Sequence, residues 1–378
     1  MSRGDRWLWV LPLALTAIGV IMVYSSSAIL GITRYQDPNH FLFKQLFRAA
    51  LGIGALLLCS RVSLKWLERS APWLLGSSAV LLAIVAVVGH VSNGAARWLR
   101  MGLVSFQPTD YARLATVVFM AWWLKRRPPE SLGFVRGVLP ALGFAGGMAA
   151  LILAQPNLSS AALLGLTGFL MVFLAGARVV QLAVPVAAGM IAVAGALFTH
   201  RYQMTRVATF VGFLFGGDID THGSAWQLSQ SLIAIGSGGW FGRGLGAGLQ
   251  KYLFLPEAHT DFIFSILAEE LGFLGVTVLL GLLALFLWRG LRATSRAIDD
   301  FPFLLAGGLT LQIGLYALVN LAVATGLAPT TGLPLPFVSY GGSALLANLA
   351  AAGLLYRVSA ANERRESITT SRWARERA

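Results

Sequence analysis

The polar and charged positions of this 378-residue chain fall in short clusters separated by long apolar runs. About ten of these runs approach 20 residues, the length a helix needs to cross a hydrocarbon core about 30 Å thick. They are Trp7–Leu30, Leu42–Ser60, Pro72–His90, Pro108–Leu124, Phe134–Ala154, Leu158–Ala175, Val179–His200, Asp261–Trp288, Phe303–Leu327 and Gly341–Tyr356. The pattern predicts an all-α, polytopic integral membrane protein with about ten transmembrane helices. One domain is expected over residues 1–360, with a long segment, 201–260, between the seventh and eighth spans. A basic tail, 361–378, is expected to be disordered.

Composition narrows the class. Hydrophobic residues make up 56% of the chain and charged residues 12%, and the mean hydropathy is +0.71, outside the range of ordinary soluble domains. The net charge of +13 would raise nucleic acid as a partner of a soluble protein. Here the basic residues flank the spans, no basic stripe interleaved with aromatics occurs, and nucleic acid is not expected. Cys59, the single cysteine, has no partner for an internal disulfide.

Charge also orients the chain. Arg61, Lys65 and Arg69 share a side with Lys125, Arg126 and Arg127, with Arg178, with Arg289, Arg292 and Arg296, and with the tail arginines. That side is cytoplasmic by the positive-inside rule, and it holds both termini. The segment 201–260 is then extracytoplasmic. Rich in glycine and aromatics, it reads as a folded surface more than a linker. Arg97, Arg100, Arg201, Arg206, Arg243 and Lys251 remain on the external face, with Arg113 just inside the fourth span, and the orientation rule does not explain them.

The chemistry concentrates in Leu255-Pro256-Glu257-Ala258-His259-Thr260-Asp261-Phe262, where the long segment enters the eighth span. A carboxylate at a membrane mouth must be offset by a partner and marks a functional candidate. Helical phase predicts Glu269 on the same face as Asp261, so that carboxylates line the entrance. A competing role for Asp261 or Thr260 is to cap the helix. His259 and Asp261 are two potential ligands at i and i+2, too few to define a metal site. Gly242–Gly248 contains a G-x-G-x-x-A string but lacks the strand and βαβ context of a dinucleotide site; its glycines permit tight turns or close approach, with Arg243 available to an anion. The proline-interrupted stretch Pro329–Ser343, which includes Ser339, cannot be helical throughout. At membrane depth it must be buried or line a cavity, and is expected to wall the external site.

These residues carry a resemblance. Leu255–Gly275, LPEAHTDFIFSILAEELGFLG, and Thr330–Ser343, TTGLPLPFVSYGGS, resemble the paired signatures of the SEDS family of FtsW and RodA. Ala96-Arg97-Trp98-Leu99 followed by Gln107-Pro108, and Trp226–Gly246, agree with it. The resemblance spans Trp7 to about Tyr356 and implies a peptidoglycan glycosyltransferase of the bacterial cytoplasmic membrane. Such an enzyme polymerises lipid II, a disaccharide-pentapeptide on undecaprenyl diphosphate, at the outer face.

The resemblance places the essential acid on Asp261. The reaction asks for a base to take a hydroxyl proton and for positive charge to meet the departing diphosphate. Arg97, Arg113, Arg201 and Arg206 align with basic family positions, and Arg243 and Lys251 add to that charge. Trp98 is expected to position sugar or lipid, and Glu257, His259 and Ser339 to complete the substrate site. A divalent cation, Mg or Mn, is allowed by the chemistry although no cage is recognisable. A class B penicillin-binding protein transpeptidase is the implied partner. The Leu249–Phe254 approach looks more like FtsW than RodA. Where relatives read Q-P-D-x-G-T this chain has Gln155-Pro156-Asn157-Leu158-Ser159-Ser160, so that loop receives no catalytic role. Two other functions fit the many spans: a lipid II flippase, which Glu269 and Glu270 would suit, and a non-catalytic scaffold for a transpeptidase.

Overall fold

The computed structural model describes residues 4–376 apart from 89, 93–94, 102–103, 200 and 216–222. The side chains of 88, 90–92, 95–97, 100–101, 104–105, 193, 196, 198–199, 201–203, 214, 224 and 364–376 also lie outside the description.

Each apolar run forms a helix. α1 (Trp7–Tyr35), α2 (His40–Arg61) and α3 (Leu64–Val88) come first, followed by the short strands β1 (His90–Ser92), β2 (Ala95–Met101) and β3 (Val104–Phe106). Next are α4 (Pro108–Arg126), α5 (Pro129–Gly133), a π-turn at Phe134–Val138, α6 (Leu139–Leu153), α7 (Leu158–Leu174) and α8 (Val179–Thr199). The long segment supplies α9 (Arg201–Leu214) and α10 (Ser224–Ser237), and the chain closes with α11 (Ile263–Ser295), α12 (Asp300–Ala324) and α13 (Gly342–Glu376).

Among the described residues, 7 helical stretches are long and apolar enough to cross a membrane by themselves. The other three expected runs fall on α4, α7 and α8. α4 carries Asp110, Arg113, Lys125 and Arg126 within 19 residues, and α7 has only 17 residues. The small antiparallel sheet departs from the all-helical pattern. Leu99 faces Phe106, Arg100 faces Ser105, and Met101 faces Val104 in its second ladder.

Small residues let the helices approach closely, as expected where lipid removes the hydrophobic drive between them. α2 lies along α13, with Gly52 against Leu349 and Gly353 against the main chain of Leu56. α12 packs on α4, α7 and α11. Gly19 of α1 admits the main chain of Val338, so a Cβ there would stand 2.5 Å from its carbonyl oxygen. The stretch 329–341 thus enters the apolar cluster, and Phe337 and Val338 pack with Met22, Phe286 and Leu345.

Asp5 ties the ends together. Its N–H donates to Ser359 Oγ at 3.0 Å, and Arg289 Nη1 donates to its carboxylate at 3.1 Å. The beginning of α1, the end of α11 and the late part of α13 therefore meet at one end of the bundle. Asp261 lies at the other.

Candidate active site

Residues 255–262 form consecutive turns, and α11 begins only at Ile263, with Phe262 as its N-cap and no side-chain capping bond. The capping role for Asp261 or Thr260 is thereby removed. The Thr260 hydroxyl instead donates to the Glu257 carbonyl at 3.1 Å and lies 3.0 Å from the Glu257 carboxylate. The expected phase relation between Asp261 and Glu269 fails for the same reason, because Asp261 is not on the helix.

The main chain of Asp261 is fixed from both sides. Its N–H donates to the Glu257 carbonyl at 3.1 Å, and its carbonyl accepts from Asn320 Nδ2 at 2.8 Å. Asn320 Nδ2 also donates to the Leu333 carbonyl at 2.7 Å. Arg206 reaches from α9 to the Thr330 carbonyl at 2.9 Å, and a Cβ built on Gly332 would stand 3.6 Å from Asp261 Oδ2. Tyr340 N–H donates to the His259 carbonyl at 3.0 Å. The two signature stretches thus form one unit, and the proline-rich one walls the carboxylate. Leu253, Glu257 and Phe337 hold left-handed φ values of 69°, 53° and 67°, a costly conformation for non-glycine residues that clusters at functional sites.

Burial pushes the Asp261 carboxyl up to about 7, Glu257 pushes the same way, and Arg206 and the Thr260 hydrogen bond oppose them. A carboxyl tuned to neutrality and held at a mouth by rigid backbone has the properties of a proton-transfer group. His259 is buried between Phe41 and Tyr340, with ring centroids 4.9 and 5.3 Å away. Burial lowers its pKa, Arg34 and Arg48 act in the same direction, and Glu257 acts against them. The imidazole is thereby biased toward its neutral form.

Several site residues escape sequence reasoning. Arg48 of α2 lies 4.3 Å from the centroid of the Tyr340 ring, and with Lys44 and Arg34 it brings positive charge to the His259 side. A signal was available: Lys44 and Arg48 are cations four residues apart inside a predicted span, and intramembrane charge is a functional flag by itself.

Other expected residues take supporting places. Lys251 is buried on Glu270 at 2.7 Å, and Glu270 also accepts from Ser25 Oγ at 2.7 Å and from Gly246 N–H at 3.0 Å. Glu269 accepts from the N–H groups of Leu249 and Gln250 at 2.8 and 3.2 Å, with Arg243 at 3.9 Å. The glycine-rich loop does cradle anions, and they are the protein's own carboxylates. Ser339 Oγ accepts from Leu335 N–H at 2.8 Å and holds the wall in shape. Arg113 is buried 3.5 Å from Asp110, donates to Asn348 Oδ1 at 3.0 Å and faces the Tyr316 ring at 4.3 Å. Trp98 is half-buried on β2, Glu257 is exposed, and the side chains of Arg97 and Arg201 lie outside the described residues.

The loop joins α11 by main-chain contact. α11 breaks at Gly272, with φ 64° and ψ −164°, and Gly242, at φ 77°, packs on the carbonyl of Glu270 and the amide of Gly272. A Cβ at Gly242 would overlap backbone. Gly242→Val is accordingly expected to destabilise by at least ~1–3 kcal/mol, through strain and overpacking. Limited proteolysis should find residues 238–250 cut faster, whereas an unchanged cleavage pattern would show the contact to be dispensable.

A helical membrane bundle with a tuned carboxylate under irregular, strained backbone at one mouth defines a polytopic membrane protein with a candidate site at that end. The chain belongs to the FtsW/RodA/SpoVE family, described as cell cycle proteins, whose model matches residues 5–364. A probable peptidoglycan glycosyltransferase FtsW of Thioalkalivibrio sulfidiphilus is 41% identical over 362 residues, covering 94% of this chain and 90% of that protein. Stage V sporulation protein E of Bacillus subtilis is 37% identical, covering 95% and 97%. Among solved structures, one from a peptidoglycan synthase complex that coordinates polymerization and crosslinking superposes with a TM-score of 0.77 at 30% identity, over 95% of this chain and 98% of that one. Thermus thermophilus RodA follows at 0.70 and 30% identity, over 94% and 96%.

Proposed function

We propose that the protein is a peptidoglycan glycosyltransferase that polymerises lipid II at the outer face of the cytoplasmic membrane. The observation that carries the reading is Asp261, a carboxyl raised to about 7 and walled by Thr330–Leu333. In the proposed step, ionised Asp261 takes the proton of an acceptor sugar hydroxyl. The hydroxyl oxygen bonds to the anomeric carbon of the donor, the bond from that carbon to the diphosphate oxygen breaks, and undecaprenyl diphosphate leaves. Arg206 supplies positive charge beside the Asp261 carboxylate, and Arg34 and Arg48 supply it beside His259; guanidinium groups suit a diphosphate because they bind it bidentately.

Asp261 and Glu257 are the neighbouring carboxylates that would hold a Mg or Mn ion, which would neutralise leaving-group charge; among the described residues no cluster of three or more His, Cys, Asp or Glu side chains forms a cage for one. A division role, as in FtsW, is favoured by the 41% identity to an FtsW relative against 30% to RodA. A crosslinking transpeptidase is the natural partner, since glycan strands are its substrate.

The test is reconstitution with labelled lipid II in liposomes, alone and with a class B penicillin-binding protein, followed by gel separation of the products. A ladder of glycan chains is expected. Movement of lipid II between leaflets without any ladder would assign transport instead. Polymerisation should also rise with pH through about 7, because the base form of Asp261 is populated only above its pKa. A rate independent of pH between 6 and 8 would separate the step from this carboxyl.

A further inference from the structure

At the end of the bundle away from Asp261, a cavity of about 180 Å³ opens between the start of α1, the end of α11 and the late part of α13. Arg289, Arg292 and Arg296 line it, with Asp5, Glu363, Ser359 and Asn362 facing them. We infer that this cavity is a binding site for a phosphate-bearing anion, with the headgroup of an acidic phospholipid as the source its position favours.

Arginines that only orient a span extend into water. These converge instead. Their spacing of three and four residues places them on one face of α11, and the Arg289 side chain is only 20% exposed. Asp5 engages one terminal nitrogen of Arg289 at 3.1 Å, while its Nε is buried with no hydrogen-bond partner. Three guanidinium groups face two carboxylates there, Asp5 and Glu363, and among the described residues neither Arg292 nor Arg296 forms an ion pair, so a net positive charge remains in the cavity. Ser359 and Asn362 add groups able to bond phosphate oxygens.

The depth of the site points to lipid. Trp288 lies 4.8 Å from the Arg289 guanidinium and 5.6 Å from that of Arg292, and Trp7 lies 5.7 Å from Arg289. Tryptophan concentrates at the headgroup level of a bilayer, and basic pockets between spans at the cytoplasmic side receive anionic headgroups. The charge pattern places this end in the cytoplasm. The site is independent of the glycosyl-transfer chemistry, which lies at the far end of α11.

The experiment uses full-length protein in nanodiscs of phosphatidylcholine containing a minority of phosphatidylglycerol, with lipid retained after detergent exchange counted by native mass spectrometry. At the usual contribution of one basic side chain at an anionic surface, Arg292→Gln/Arg296→Gln should weaken retention of phosphatidylglycerol about thirtyfold. Arg61→Gln/Arg69→Gln, an equal charge change elsewhere at the same end, should leave it nearly unchanged, and the Asp5–Arg289 pair is kept in both. A second arm adds inorganic phosphate and follows thermal stability. Stabilisation of wild type but not of Arg292→Gln/Arg296→Gln, without selective lipid retention, would identify a soluble phosphate compound as the source. Equal behaviour of the two double variants in both arms would overturn the site.

Discussion

Asp261→Asn is expected to lower glycan polymerisation by about 10²–10⁴-fold, the usual contribution of a positioned general base, without unfolding the protein. The amide matches the carboxyl in size and leaves the main-chain bonds to Glu257 and Asn320 in place. The stability effect has a definite sign. The folded pKa, about 7, lies above the ordinary 3.8, so the fold favours the protonated form. That contribution is complete below about pH 4 and is lost as pH rises through about 7. At pH 8 the wild type holds an ionised carboxylate that the fold disfavours and the variant a neutral amide. The variant should therefore melt no lower than wild type at pH 8 while forming no glycan ladder. Undiminished polymerisation would remove Asp261 from the reaction.

The second large effect is expected at Lys251. Its ammonium and the Glu270 carboxylate are 2.7 Å apart with side chains 5% and 0% exposed, and removal of one member of such a pair leaves a buried charge uncompensated. Lys251→Met is expected to destabilise by about 3–5 kcal/mol. Lys251→Met/Glu270→Gln, which removes both charges, should recover a substantial part, because the amide can still accept from Ser25 and Gly246. Denaturation of the three proteins in one detergent measures the coupling. A double variant no more stable than Lys251→Met would show that Glu270 acts through its charge toward the loop amides and not through the lysine. Polymerisation should fall with loss of the fold, since these groups seat the loop that leads to Asp261.

Much of this was legible in the chain because the bilayer imposes a simple rule: apolar length makes a helix, and irregular backbone at depth must be enclosed. The runs therefore fall on helices, and Pro329–Ser343 falls beside Asp261 as expected. Three-dimensional pairing was not legible. Glu269 and Glu270 read as a line of carboxylates entering the membrane, yet Asp261 lies in the turns before α11 and the two glutamates bond the loop amides and Lys251 instead. Arg48 lies two turns inside α2, and only the fold brings it to Tyr340. The strands at 90–106 are too short for their alternation to stand out beside a long apolar span.

The break at Gly272 also separates two mechanical duties within α11. The portion before it, Ile263 to Leu271, is bound to the glycine-rich loop through Glu269 and Glu270. The portion after it, out to Ser295, is about 35 Å long at 1.5 Å per residue; Phe273 and Leu274 at its start still bond the loop at Gly239 and Trp240, and the rest packs on α1 and α12 with its other side toward the hydrocarbon. A bilayer that thickens or thins is accommodated by helix tilt, and the interrupted helical ladder at Gly272 is where tilt of the long portion is expected to be absorbed before it reaches Asp261. The geometry of the site is then expected to hold across membranes of different thickness.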